Sequence, residues 1–169
     1  MDFAVKVRFS PSIKADMLNQ FETIIEPFAA LSLIQLHQIM QLRQQVFMLE
    51  QQSLYLDADN NDVNATHVMV YDGAKLIAYA RVVPPHLSIA HAQIGRVVVA
   101  SAYREQGLGS AVLQAALETA QRQFPQLDVV IAAQTAQQAW YTGFGFVAEG
   151  EVFDDGGVEH VKMRLVHTA

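Results

Sequence analysis

The chain has 169 residues, enough for one folded domain, and its 51% hydrophobic against 17% charged residues exclude general disorder. It contains no cysteine, which excludes disulfides, thiolate-bound zinc, iron–sulfur clusters and a cysteine nucleophile. Its net charge of −6 argues against general binding of nucleic acid or anionic membranes, because phosphate contacts need clustered cations.

The sequence also lacks the usual membrane and metal signals. No apolar run reaches the ~20 residues that span a bilayer, and the N-terminus has no basic segment followed by an apolar one. The six histidines are scattered, with none of the spacings that hold a metal ion. We therefore expect a cytoplasmic protein without a metal site.

Residues 1–20 are predicted to be an N-terminal extension of uncertain structure, and residues 21–169 a single domain. Apolar residues alternate with others over 3–9, which favours an edge strand or a partly ordered segment. Residues 21–28 fit either a strand or the end of a helix, and Pro27 closes the segment in both cases.

The following segments predict a helix and a β-hairpin. Apolar residues recur at helical spacing over 32–50, and Ser32 is a suitable N-cap. Two strand-like segments, 67–71 and 75–83, flank an Asp-Gly dipeptide, which is common in tight hairpin turns.

The second half of the chain alternates strands with helices. The predicted elements are a strand over 92–100, a helix over 110–124, a strand over 127–133, a short helix over 135–144, and two closing strands over 146–152 and 159–166. A hairpin requires antiparallel pairing, whereas a strand–helix–strand unit favours parallel pairing. The sequence therefore predicts an α/β domain with a mixed sheet.

Arg104, Gly107 and Gly109 form an R-x-x-G-x-G pattern in the turn between a buried strand and a helix. Such a turn can direct backbone N–H groups at an anion, and glycine lets a phosphate approach closely. The pattern fits a dinucleotide-binding fingerprint poorly, and no Walker lysine follows it. Two interpretations stay open, a phosphate-binding loop and a tight turn with structural glycines.

A second pattern places Tyr141 near the end of the short helix, ahead of Gly145 and Phe146. Its other aromatic residues, Trp140, Phe144 and Phe146, are interpreted as core side chains. Together the two patterns resemble the GNAT superfamily of acyl-CoA-dependent N-acetyltransferases. Its diphosphate loop has the pattern Q/R-x-x-G-x-G/A, and a later segment ends in tyrosine and then Gly-Phe.

The resemblance covers about 32–166 and leaves residues 1–16 outside it. Further residues are similar to the small bacterial ElaA-type branch: Leu42-Arg43, Val46-Phe47, Glu50-Gln51, Tyr55, Asp57, Asp59, Asp62, 94–99, Asp155-Gly156 and His160. The resemblance implies a mixed, mostly antiparallel sheet with a splayed central strand pair, flanked by helices.

The resemblance also implies a reaction. Acetyl-CoA would be the co-substrate, an acceptor amine of a small molecule or peptide would attack the thioester directly, and Tyr141 would protonate the leaving thiolate, for which a phenol is a suitable acid. The residues expected to bind acetyl-CoA are Val97, Val98, Val99, Arg104, Gln106, Gly107, Leu108, Gly109 and Ser110.

The general base is the least defined part of this expected site. Glu50, at the end of the first predicted helix, is the catalytic candidate, because that helix faces the acceptor side in this superfamily. Glu149, Glu151 and His160 are the other candidates, and a water relay would leave no mark on the sequence.

The polar loop over 56–64 carries Asp57, Asp59 and Asp62. This D-x-D-x-x-D spacing lacks the glycine and the closing glutamate of a calcium-binding EF-hand, so a solvated or capping loop is favoured. Two alternatives are that the acids line the acceptor site, or that they pair internally with Arg43 and Arg96.

Two other functions fit the same fold. One is a non-catalytic acyl-CoA-binding regulatory module, which would need the glycine loop and have no use for Tyr141 as an acid. The other is an N-acyltransferase that uses a longer acyl-CoA. The exposed edge strands of the predicted sheet also favour a homodimer.

Overall fold

The computed structural model describes residues 20–86 and 88–167, so the strand expected over 3–9 lies outside the described residues. The chain forms a seven-stranded sheet with helices against it. The strands are β1 (Glu22–Pro27), β2 (Thr66–Asp72), β3 (Lys75–Val83), β4 (Ala92–Val99), β5 (Val129–Gln134), β6 (Val147–Asp155) and β7 (Val158–Leu165). The α-helices are α1 (Leu33–Arg43), α2 (Leu108–Gln123) and α3 (Gln138–Thr142).

The strand order is β1-β2-β3-β4-β5-β7-β6. Neighbouring strands are antiparallel, except that β4 and β5 are parallel. The predicted mixed, mostly antiparallel sheet is therefore confirmed. Residues 21–28 supply the edge strand β1, which ends at Pro27, a residue that edge strands tolerate because it has no N–H to donate.

The first helix begins as predicted and changes its geometry before it ends. Ser32 Oγ accepts a hydrogen bond from the backbone N–H of Gln35, and the Gln35 side chain accepts one from the Ser32 N–H, a capping box. The α-helix stops at Arg43, and a π-helical segment, Gln44–Glu50, follows it. The prediction of one regular helix over 32–50 was thus wrong for its last part, where the wider π turns still bury two apolar side chains.

The core lies on both faces of the sheet, because helices cover both. On one face, α2 packs a row of small and branched side chains against the strands: Ala111, Val112, Leu113, Ala115, Ala116 and Ala120. On the other face, α1 and the π-helical segment bury Ile39, Leu42, Val46 and Phe47. Between these layers, every residue of β3 after its first is buried, as expected for a strand covered on both sides.

The central strands β4 and β5 separate after a short stretch of pairing. Ala92 lies opposite Val129 and Gln93 lies opposite Val130, and these two positions are all of the pairing between them in the described residues. The predicted splayed strand pair is confirmed. Because α2 follows β4 and α3 follows β5, the glycine turn and the short helix both lie beyond the open end of this pair.

Candidate active site

An open cleft of about 1170 Å³ occupies the gap between the diverging strands. Its walls include Val97, Val98 and Val99 of β4, and Ile131 and Gln134 of β5. A site for one small ligand has roughly 300–1000 Å³. The cleft therefore has room for a long ligand together with a second molecule.

A β-bulge interrupts β4 where it lines the cleft. Tyr79 of β3 lies opposite Val98, and Arg81 lies opposite Gly95, so β4 has one more residue than β3 over this stretch. Arg96, inside the bulge, has a left-handed backbone with φ of 54°. Because a bulge disrupts the ladder, the β4 backbone here is released from β3 and becomes available to a ligand in the cleft.

Arg96 is held in this conformation by the loop that follows the π-helical segment. Its Nε donates to Asp57 Oδ1 at 2.7 Å, and its guanidinium lies 5.5 Å from the centre of the Tyr55 ring. A left-handed non-glycine residue costs about 1–3 kcal/mol, which surrounding contacts must offset. The loop thus stabilises the bulge that opens the cleft.

The acidic loop itself is buried against arginines. Asp57 and Asp62 are 5% and 4% exposed. Arg43, fully buried, donates from Nε to Asp57 and from Nη1 to Asp62, at 2.7 Å each. Together with the Arg96–Asp57 pair, this confirms the alternative of internal pairing, and the expectation of a solvated loop was wrong for Asp57 and Asp62. The physical reason is that a buried carboxylate requires a partner, because an unpaired buried charge is strongly destabilising.

Arg81 of β3 completes the cluster, although it was not predicted from the sequence. Its Nη1 lies 2.6 Å from both Asp59 Oδ1 and Asp62 Oδ1. A signal for it exists in the sequence, since Arg81 stands inside an otherwise apolar strand. A charged residue in such a strand predicts a buried partner.

These ion pairs lower the pKa of Asp59 and of Asp62. Burial opposes ionisation of Asp59, but the hydrogen bond and charge of Arg81, with the charge of Arg96, outweigh it and lower the pKa of Asp59 to about 2. Burial likewise opposes ionisation of Asp62, but the hydrogen bonds and charges of Arg43 and Arg81 hold its pKa below the ordinary range. Both groups are therefore carboxylates at neutral pH.

The lowered pKa values predict acid sensitivity in a defined window. Above the ordinary aspartate pKa of 3.8 the ion pairs stabilise the fold fully, and this contribution is lost as the pH falls towards about 2, because the unfolded chain binds protons first. We expect the urea-derived free energy of unfolding to fall over this window. In Asp59→Asn the fall should be smaller, and in the exposed Asp154→Asn it should match the parent. If the free energy of unfolding fell as much in Asp59→Asn as in the parent, the ion pairs of Asp59 would not be the cause of the acid sensitivity.

The glycine turn enters α2 through two left-handed residues. Glu105 has φ of 62°, and Gly107, the N-cap of α2, has φ of 80°. Gly107, Gly109 and Ser110 line the cleft. Leu108 was predicted to bind the ligand, but its side chain is buried in the core. Only its backbone belongs to the turn.

Two predicted site residues pair with each other beside this turn. Arg104 Nη2 donates to Glu50 Oε2 at 2.6 Å, and Arg104 Nε donates to the Val99 carbonyl at 3.1 Å. Arg104 lines the cleft, whereas Glu50 and Gln106 are not among the residues that form its walls. The structure therefore places Glu50 beside the glycine turn, where it orients Arg104.

Tyr141 of α3 is buried at the side of the cleft. Its ring packs edge-on against Trp140 and Phe146, and 9% of the residue is exposed. Burial raises the pKa of Tyr141 to about 12, so the hydroxyl keeps its proton at neutral pH. Phe146 is a core residue, as expected, but Trp140 also lines the cleft and donates from Nε1 to Ser110 Oγ at 3.4 Å.

Aromatic residues from two segments form another wall. Phe153 of β6 and His160 of β7 stack at 6.0 Å, and both line the cleft with Tyr55. The β6–β7 turn lies against Tyr55: a Cβ at Gly156 would come within 2.6 Å of the Tyr55 ring. Phe153 had no role in our sequence analysis, because a single exposed aromatic in a strand carries no local signal.

Comparison with known proteins identifies the family. The model of the acetyltransferase (GNAT) domain matches residues 35–167. The chain belongs to the GNAT family. ElaA of Escherichia coli is 34% identical to this GNAT protein over 135 residues, which are 79% of this chain and 88% of ElaA.

Solved structures agree with this assignment. The crystal structure of an acyl-CoA N-acyltransferase from Pseudomonas aeruginosa has a TM-score of 0.82 and 36% identity, and covers 85% of this chain and 98% of that one. The crystal structure of Escherichia coli ElaA has a TM-score of 0.80 and 32% identity over the same shares. The resemblance inferred from the glycine turn and the tyrosine segment is confirmed, including its ElaA-type branch, and the family and fold support acyl-CoA-dependent N-acyltransfer.

Proposed function

We propose that this GNAT protein transfers an acetyl group from acetyl-CoA to the amine of a small molecule or peptide. The observation that carries the proposal is the cleft between β4 and β5, which has a glycine turn at a helix N-terminus beside it and the buried Tyr141 in its wall. The likeness to an acyl-CoA N-acyltransferase supports a CoA thioester as the donor.

The glycine turn supplies the charge and geometry that a diphosphate requires. The backbone N–H groups from Gln106 to Ser110 lie at the N-terminus of the 16-residue helix α2, where the helix dipole favours an anion. Gly107 leaves this approach free of a Cβ, and Arg104 adds a positive charge at the cleft wall. Glu50 holds the guanidinium in place, as a carboxylate partner of Arg104.

The bulged part of β4 is proposed to bind the pantetheine and thioester end of acetyl-CoA. Val97, Val98 and Val99 line the cleft, and the edge of β4 that faces β5 has no strand partner there within the described residues, because the pairing of β4 with β5 ends at Gln93. We assign them the pantetheine arm and the thioester carbonyl, since an extended polar chain pairs with a strand as another strand would. A hydrogen bond to that carbonyl would stabilise the negative charge that develops there during attack.

Acyl transfer in this cleft requires one proton to reach sulfur and one to leave nitrogen. The neutral acceptor amine attacks the thioester carbon, the C–N bond forms, and the C–S bond breaks. Tyr141 donates its phenol proton to the departing thiolate, because expelling a bare anion into a partly dry cleft is costly. The chain has no cysteine to form a thioester intermediate, which suits a direct transfer.

A thiol-release assay tests the proposed function. Purified protein is mixed with acetyl-CoA and a panel of small amines and peptides, and free CoA is measured with a thiol reagent. We expect amine-dependent release with acetyl-CoA, and weaker release with butyryl-CoA and octanoyl-CoA. Binding of acetyl-CoA without release by any amine would identify a non-catalytic module, and preferred turnover of the longer thioesters would identify a different N-acyltransferase.

The edges of the sheet support a proposal about the assembly of the protein. The strand β6 is an edge of the sheet, and all nine of its residues are exposed. Exposed edge strands favour pairing with another chain, so we propose a homodimer. None of the helices within residues 20–86 and 88–167 has the length and hydrophobicity of a transmembrane segment.

A further inference from the structure

We propose that His160 is the general base that removes the proton from the acceptor nitrogen. This inference rests on the proposed acyl transfer and adds the residue that the sequence could not identify. The geometry that carries it is the position of the imidazole in the cleft wall, together with a hydrogen bond that leaves one ring nitrogen free to accept a proton.

The structure separates the four candidates for the base. Glu50 accepts a hydrogen bond from Arg104 at 2.6 Å, beside the glycine turn. Glu149 accepts from Arg164 and is exposed, and Glu151 is exposed on the edge strand β6. Of these four residues, all of which the structure describes, His160 is the one that lines the cleft.

The tautomer of His160 follows from its hydrogen bond. Nδ1 lies 2.8 Å from the carbonyl oxygen of Val158, and a carbonyl oxygen can only accept. Nδ1 therefore carries the proton in the neutral ring, and Nε2 has a lone pair. The ring is also stacked on Phe153 with an interplanar angle of 27°, which fixes its plane. A base needs such a fixed and unprotonated nitrogen.

The fold brings His160 and Tyr141 to the same cleft. His160 of β7 is in register with Gln134, the last residue of β5, and the chain continues from Gln134 towards the helix that carries Tyr141. An acid and a base on separate elements suit this reaction, because protonating sulfur and deprotonating nitrogen are separate events at different atoms.

The proton and bond changes balance with these two residues. The acceptor, bound as an ammonium ion, loses one proton to Nε2 of His160, and the neutral amine then forms the C–N bond. The thiolate gains a proton from the Tyr141 hydroxyl as the C–S bond breaks. The imidazolium releases its proton to solvent, and the phenolate regains one, through solvent, from the nitrogen of the new amide, which restores both groups and leaves an amide and a thiol.

Other charged or titratable groups share the cleft with His160. They include Lys162 on the same strand, Asp155 on β6, Arg96 on β4, and Tyr55 on the loop that the β6–β7 turn contacts.

The experiment compares two amines of nearly the same shape, ethylamine and 2,2,2-trifluoroethylamine. At neutral pH ethylamine is an ammonium ion and needs a base, whereas the fluorinated amine is already largely neutral. The variant is His160→Asn, whose side-chain amide can still donate to the Val158 carbonyl but has no basic nitrogen. His37→Gln is the matched control, because His37 is exposed on α1 and does not line the cleft.

We expect His160→Asn to lower kcat/KM for ethylamine about 10²–10⁴-fold, and to lower it much less for the fluorinated amine. His37→Gln should leave kcat/KM unchanged for both amines. Equal losses for the two amines would mean a structural role and overturn the assignment, as would no loss for ethylamine. If the parent releases no CoA with these two amines or with any amine or peptide of the panel, the proposed function is overturned, and the base assignment with it.

Discussion

Replacing Tyr141 by phenylalanine is expected to lower turnover about 10²–10⁴-fold, the usual contribution of a general acid. The substitution removes the hydroxyl and keeps the ring, so the edge-on contacts with Trp140 and Phe146 should survive. The dissociation constant for acetyl-CoA should change little, because the hydroxyl acts on the leaving sulfur and not on the bound donor. Steady-state kinetics with an accepted amine and calorimetric titration with acetyl-CoA measure the two quantities.

Tyr71→Phe is a matched control for this experiment. Tyr71 is also a buried tyrosine whose pKa burial raises to about 12, but its hydroxyl donates to Gln38 and it does not line the cleft. We expect its turnover to equal that of the parent. Turnover within about twofold of the parent in Tyr141→Phe would show that this residue only packs in the aromatic group and is not the acid, since an acid contributes far more.

Substituting Gly107 by valine is expected to abolish measurable binding of CoA. Gly107 has φ of 80°, a conformation that a β-branched residue adopts only with strain. Relief of that strain would turn the N–H groups at the start of α2 away from the diphosphate, and the new side chain would stand where the phosphate approaches. Left-handed strain costs about 1–2 kcal/mol per residue, less than the stability of most domains, so the variant should fold.

Two other variants make this result interpretable. Gly109→Ala adds a Cβ that would lie 3.7 Å from Trp140, an ordinary contact, and should bind CoA nearly as the parent does. Gly107→Asn, whose side chain tolerates the left-handed region, should fold well and bind with intermediate affinity. Calorimetric titration with CoA measures the dissociation constant of each of the three folded variants. Unchanged affinity in a folded Gly107→Val protein would remove the glycine turn from the binding site.

Local patterns were sufficient to predict the parts of this protein that depend on neighbouring residues. The glycine turn is one, because the left-handed Gly107 caps the helix that follows it directly. The N-cap at Ser32 is another, because the backbone N–H of Gln35 that it accepts from lies three residues away. The π-helical segment Gln44–Glu50 was missed, because its geometry depends on what it packs against and not on its own propensity.

The buried charge cluster shows the limit of such patterns. The three aspartates of one loop were visible in the sequence, but solvent and arginine partners were both open interpretations. Arg81 lies 19 positions from Asp62 along the chain and 2.6 Å from it in space. Only the pairing of strands and the docking of the loop decide such a contact, because side chains far apart in sequence carry no periodic signal.

Short-range periodicity and one compact motif were enough to predict most of the elements in their order and the glycine turn. The splayed strand pair was predicted through the family resemblance that this motif and the tyrosine segment carry. Which of the candidate bases reaches the cleft depends instead on the tertiary structure. Glu50 forms an ion pair with Arg104, which is 54 positions away in the sequence, whereas the register of β7 on β5 places His160 opposite Gln134. Strand register and long-range ion pairs are set by the packing of the whole domain, and therefore a base could be proposed only after the fold was known.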